Sequence, residues 1–245
     1  MQVVISPSKT LDFDTQPNTA THTMPQFLDK SAELAAILKS YSANDLKNLM
    51  GISDKLADLN HDRFQNWQPN YGPDTAKQCI YAFKGDVYEG LDSESLNNTE
   101  IEQAQKTLRI ISGLYGLLRP LDLILPYRLE MGTKLSNPAG KNLYEFWASN
   151  IADKIESDIL INLASNEYFK AIGKHYNGHI IDIDFKENKN GQYKTIGIHA
   201  KKARGLMARW IILNKPETKD LTQFNIAGYE YNNELSDTDK IVFTR

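Results

Sequence analysis

The chain has 245 residues, with 28 Lys and Arg against 31 Asp and Glu and a formal net charge of −3, so its overall field does not attract nucleic acid and any such binding needs a local concentration of cations. Hydrophobic residues at 41% and charged residues at 24% describe a globular chain long enough for a sizeable core, which excludes disordered and fibrous classes. No apolar run approaches the ~18 residues of a spanning helix. The opening MQVVISPSK lacks a basic region ahead of an apolar one, and the one cysteine, Cys79, allows no internal disulfide. The expectation is a cytoplasmic protein with no membrane partner.

Taken in order, the segments predict a mixed α/β fold. Gln2–Ile5 reads as a short strand stopped at Ser6-Pro7, and 15–24 as a polar surface loop. Three helices follow, over 25–40 (opened by Pro25), 43–49 and 53–64, and the proline- and glycine-bearing 68–73 closes this helical part. Strands are predicted at 78–83, 109–112 (RIIS, around Ile110-Ile111), 158–164, 180–185 and 193–199, the last two around the hairpin-like 188–191. Helices are predicted at 99–107, 140–155, 165–172 and 201–213, and Gly85 and Gly90 bracket an acidic turn. Nothing in the pattern forces two domains. The reading is a single mixed-sheet domain over 1–245 surrounded by helices, with a helical subregion at about 25–67.

The densest signal is 108–135, LRIISGLYGLLRPLDLILPYRLEMGTKL, where Arg109, Arg119, Arg128 and Lys134 lie among large apolar residues with two acids, Asp122 and Glu130. Cations on mostly buried, irregular backbone need partners, so the stretch is either an ion-pair lattice or an anion site.

SGLYGLLRPLD and PYRLEMGTKL from this stretch, with ISPSKTLDF, FKGDVYEGLD, NLASNEYF and AKKARGLMAR elsewhere, resemble the YaaA family of bacterial peroxide-stress-resistance proteins, in the same order and over essentially the whole chain. The resemblance implies a cytoplasmic protein of the hydrogen-peroxide response, linked to DNA binding and to limited free iron. It implies no catalytic mechanism.

Several strands close on a small or polar residue: VVIS before Pro7-Ser8-Lys9, RIIS before Gly113, INLAS before Asn166-Glu167, and IGIHA before Lys201-Lys202. If these strands are parallel, their carboxyl ends open on one crevice, where open α/β sheets bind ligands. Lys9, Arg119 or Arg128, and Lys201 would then line a cationic crevice; the plainer alternative makes Ser6, Ser112 and Ser165 helix caps.

Within the last helix, Ala203, Leu206, Met207, Trp210 and Ile211 share a face, and Lys201, Lys202, Arg204 and Arg209 lie opposite, without an acid among them. Gly205 and Ala208 interrupt that basic face. A mid-helix glycine costs about 1 kcal/mol, and close approach of a phosphate backbone or of a second helix would account for it. The phosphate reading predicts that Gly205→Glu spares stability and harms binding. A second nucleic-acid candidate is 46–59, LKNLMGISDKLADL, which resembles a helix–hairpin–helix element, with Gly51 at its turn and Lys55 on its second helix; Ser53 replaces the usual second glycine. The alternative is an ordinary helical hairpin capped by Ser53.

Catalytic and metal signals are weaker. Ser6-Pro7-Ser8-Lys9 has a serine–lysine nucleophile spacing without its companion motifs. His175 and His179 with Asp182 and Asp184 do not share a helical face, so neither a metal nor a cofactor is expected. Cys79 has apolar neighbours and reads as packed and inert. The residues assigned to nucleic acid are Lys9, Gly51, Lys55, Arg119, Arg128, Lys134, Lys201, Lys202, Arg204, Gly205 and Arg209, for a DNA-binding, non-enzymatic protein indifferent to sequence. The alternative is an enzyme acting on a nucleotide or nucleic acid, with Lys9, Arg128 and Lys201 holding phosphate and Glu130 or Glu167 moving protons.

Overall fold

The first strand sets the sheet. Gln2–Ile5 (β1) is buried along its whole length with no polar alternation, as a strand covered on both faces must be. In the computed structural model, which describes residues 1–17 and 19–245, β1 pairs in parallel with Leu108–Ser112 (β2) on one side and with Ile159–Leu163 (β4) on the other. His179–Lys189 (β5) and Lys240–Thr244 (β8) extend the parallel set beyond β4. Antiparallel strands finish both edges: Gly116–Leu118 (β3) on β2, and Glu230–Tyr231 (β7) on β8. With Gln192–Lys194 (β6) paired to β5, the described residues form an eight-stranded sheet of order β7-β8-β5-β4-β1-β2-β3. The chain leaves β1 for β2 on one side and returns to β4 on the other, so the strand order reverses beside β1. This is the predicted mixed α/β sheet ringed by helices.

The helical part comprises Leu28–Lys39 (α1), Ala43–Met50 (α2) and Asp54–Asn66 (α3). Ser42 and Asp45 close a reciprocal capping box on α2, Gly51 ends it in the left-handed region at φ 61°, and Ser53 caps α3 by accepting from the Leu56 N–H. Local capping therefore shapes this helical hairpin. Asp86–Leu91 (α4), Asn98–Thr107 (α5), Leu143–Trp147 (α6), Asn166–Gly173 (α7) and Gly197–Asn214 (α8) complete the principal helices. None among the described residues is long and apolar enough to cross a membrane.

Four local expectations are corrected. The stretch 78–83 is one helical turn, Cys79–Ala82, between two-residue strands, because the Cys79 and Ile80 N–H groups donate to the carbonyls of Asp122 and Pro120. The bracketed turn at 85–90 is the helix α4. The helix expected over 140–155 stops at Trp147, where Ala148 takes φ 43°, and a short 3-10 turn, Ala152–Lys154, follows. The fourth strand end does not exist: Gly197–Ala200 is the first turn of α8, closed by the Ala200 N–H on the Ile196 carbonyl. Exposure explains it, since 192–199 offers no buried face for a central strand.

Candidate functional site

The carboxyl ends of β1 and β4 meet where the strand order reverses. Ser6 Oγ accepts from the Ser165 N–H at 2.9 Å and donates to Ser165 Oγ at 3.3 Å, stitching the two strand ends together. Ser112, at the end of β2, accepts from the Tyr115 N–H and shares a 2.6 Å hydrogen bond with the Tyr127 hydroxyl. Neither bond caps a helix; Ser165 precedes α7 without a side-chain capping bond. The three serines lock loops to strand ends, which the capping alternative did not foresee.

Above this seam opens a crevice of about 440 Å³. One wall is the 6–9 loop, a second is Gly85 and the start of α4, a third is the start of α7, and α8 contributes Lys201 and Arg204. The Tyr88 hydroxyl donates to the Ser6 carbonyl at 3.1 Å and holds the second wall to the first. Gly85 takes φ 118°, and a side chain there would press on Ser8 Oγ, so the approach of those walls requires glycine.

The charges in the crevice divide into tied and untied. Lys9 pairs with Glu130 at 2.6 Å, and Glu130 also takes Arg128 at 3.0 Å, so Arg128 reaches the crevice only through that carboxylate. Glu167 accepts from the Gly132 N–H at 2.9 Å, and Asp86 lines the α4 wall. By contrast, Lys201 is exposed and Arg204 is largely buried, and neither has an ion pair or a hydrogen bond among the described residues. Arg204 Nε is wholly buried without a partner, as is Arg128 Nε. Burial presses the Arg204 guanidinium below its ordinary pKa, while Asp184 and Asp182 favour the charge from beyond ion-pair distance. The crevice thus sets untied cations on α8 facing carboxylates on α4 and α7. Such a wall can hold a phosphate by charge-assisted hydrogen bonds, and Glu130 and Glu167 stand near enough to its lining to exchange protons.

The family model for the peroxide stress protein YaaA matches residues 1–235. The chain belongs to this family. It is 53% identical to a UPF0246 protein of Shewanella baltica and 52% identical to one of Shewanella oneidensis, each alignment covering 100% of this chain and 99% of the relative. Its place in the peroxide stress response comes with that membership.

The remaining nucleic-acid residues scatter through the fold. Arg119 lies away from the crevice and is bound to Asp122, which is fully buried and accepts from the Arg119 backbone N–H, Nε and Nη2. Asp122 also accepts from Thr23 Oγ1 at 2.6 Å, and burial raises its pKa against these bonds. Lys134 is exposed and does not line the crevice, and Gly51 and Lys55 are exposed on the helical hairpin.

The basic face expected on α8 is not open along its length. A Cβ on Gly205 would lie 1.9 Å from the Val87 carbonyl oxygen, and one on Gly90 would lie 2.2 Å from that of Lys202. Gly205 and Gly90 are therefore the contact point of α4 and α8, and no phosphate approaches there. Arg209 donates to the carbonyls of Leu91 and Asp92 at 3.0 and 2.7 Å, closing the end of α4. Lys202 faces Glu89 at 4.0 Å. Sequence reasoning missed Gly85, Asp86, Tyr88 and Tyr168 as crevice residues; a glycine directly before an acidic helix start, KGDVYEG, was the available signal.

Of the other motifs, Cys79 is fully buried, its thiol donates towards the Arg119 and Pro120 carbonyls, and burial pushes its pKa well up, which makes it a poor nucleophile. His175 is exposed beyond α7, His179 pairs with Asp239 at 2.9 Å, Asp182 accepts from Asn162 and Asp184 pairs with Lys240. Among the described residues no group of three or more His, Cys, Asp or Glu side chains could hold a metal ion.

Proposed function

We propose that this member of the peroxide stress family binds DNA, and that the binding protects DNA and helps limit free iron while peroxide is present. One observation carries the DNA reading: Arg204 and Lys201 line the carboxyl-edge crevice without an ion pair, in a protein that ties up the other cations of the same helix. A desolvated guanidinium with an unbonded Nε favours an incoming phosphate, because the cost of its burial is already part of the fold. The helical hairpin supplies a second contact, with the exposed Gly51 turn and Lys55. The iron part rests on the family resemblance alone, with no donor cluster behind it.

Titration of duplex DNA across salt concentrations tests this. Arg204→Ala and Lys201→Ala should each weaken binding similarly across sequences and reduce the salt slope by about 1, the signature of one lost phosphate contact. Unchanged affinity and slope in both folded variants would overturn the crevice as the DNA site. A second reading, an enzyme acting on a nucleotide, is favoured by the modest volume of the crevice and by Glu167 in its lining. Tight binding of a mononucleotide, lost in Arg204→Ala while duplex binding is retained, would decide for it.

A further inference from the structure

At the opposite, amino edge of the sheet lies a second cavity, of about 480 Å³, into which Lys106, Arg109, Arg119 and Lys154 face, with Glu156 as the one carboxylate in its lining. Arg119 is already spent on Asp122. Arg109 is not. It belongs to β2, in register with Val4, and is only 7% exposed. Its Nη1 donates to the carbonyl oxygens of Gln105 at 3.0 Å and Leu108 at 2.8 Å, which finishes the last turn of α5 and fixes the guanidinium in place.

Those partners are neutral. Among the described residues no carboxylate forms an ion pair with Arg109, and Glu156 and Asp122 act on it only from longer range. Guanidinium carries five N–H donors, and among the described residues the hydrogens on Nε and Nη2 have no acceptor. A buried cation held by neutral carbonyls keeps its whole charge, and an anion opposite the remaining donors offsets its desolvation best. The planar fork is suited to two oxygens of one phosphate, while Lys106 and Lys154, both exposed, carry charge on flexible stems at the rim.

We propose that this amino-edge cavity binds a small phosphate dianion, inorganic phosphate or a phosphate monoester, with Arg109 as the fixed anchor and Lys106 and Lys154 closing over it. The site is separate from the crevice at the carboxyl edge and does not depend on it.

Calorimetric titration of the full chain with inorganic phosphate, at ionic strength matched with chloride, tests the proposal. The expected result is one phosphate per chain, bound about tenfold or more weakly in a Lys106→Ala, Lys154→Ala double variant, since each lost charge-assisted bond is worth about a factor of ten. These lysines are exposed, so the variant should fold. Arg109→Lys, which keeps the charge but loses the fork, should weaken binding as well. Duplex DNA binding should stay at the wild-type level in the double variant, which separates this site from the crevice at the carboxyl edge. No phosphate binding by the wild-type chain, or equal binding in the double variant, overturns the proposal. Weaker duplex binding in the double variant, with free phosphate not bound at all, would name the DNA backbone as the source and overturn it too.

Discussion

The two edges of the parallel strands treat positive charge differently. At the carboxyl edge, Lys9 and Arg128 share Glu130 in a chain of ion pairs, and Lys201 and Arg204 on α8 stay unpaired beside it. At the amino edge, Arg119 is neutralised by a carboxylate with no solvent exposure, and Arg109 is anchored by carbonyls without being neutralised. Each edge therefore holds cations that serve the fold and cations left over. Paired arginines on irregular backbone explain how the 108–135 stretch stays folded, and the unpaired ones are those left free to meet a ligand. Charge counted along the sequence cannot make that division, because it depends on what each guanidinium meets.

Removing a fold-serving partner should give the largest effect. Asp122 receives three bonds from Arg119 and one from Thr23, and its backbone carbonyl takes the Cys79 N–H. Asp122→Ala leaves a half-buried guanidinium without its counter-charge, so stability should fall by about 3–5 kcal/mol, measured by denaturant unfolding. A loss below about 1 kcal/mol would show that water reaches Arg119 and that the pair serves something other than the fold.

A smaller loss is expected at the junction of α4 and α8. Gly205→Ala places a methyl group against the Val87 carbonyl, so the helices must separate; the cost should be about 1–3 kcal/mol, or roughly 2–12 °C in melting temperature for a chain of this size. This reverses the sequence-based expectation that Gly205 could be enlarged without harm. A melting temperature unchanged in Gly205→Ala would reopen that face of α8.

Much of this was legible in the sequence where local rules decide. The mostly apolar QVVI, RIIS and ILINL marked three adjacent strands of the sheet, and Ser42, Gly51 and Ser53 marked the ends of α2 and α3 through capping chemistry that acts within a few residues. The strand-end serines pointed to one crevice, and three of the four predicted ends meet at that edge of the sheet. What stayed hidden depends on distant partners. Gly90 and Gly205, 115 positions apart, explain one another, and neither signals alone. The tie from Arg209 to the end of α4 is equally non-local, so a helix that looks uniformly basic in sequence has an occupied end and an open one. IGIHA had the composition of a strand, but without a buried face the helix won.

The finest test of paired against unpaired charge lies within α8 itself. Arg209 and Lys201 stand eight residues apart on one helix and entered the sequence reading as equivalents. Arg209 Nη1 is bonded to two carbonyls at the end of α4 and lies 3.6 Å from Asp92, whereas Lys201 has no ion pair among the described residues and lines the crevice. Arg209→Ala should therefore lower stability by about 1–2 kcal/mol, because two charge-assisted bonds to backbone are lost, and should leave the salt slope of DNA binding unchanged. Lys201→Ala should do the reverse, with stability unchanged within about 0.5 kcal/mol, as for an exposed side chain without partners, and a salt slope reduced by about 1. Unfolding and binding measured on the same two variants decide the matter. If Arg209→Ala changed the slope and Lys201→Ala did not, the DNA would follow the far end of α8, and the crevice would lose its claim as the phosphate site.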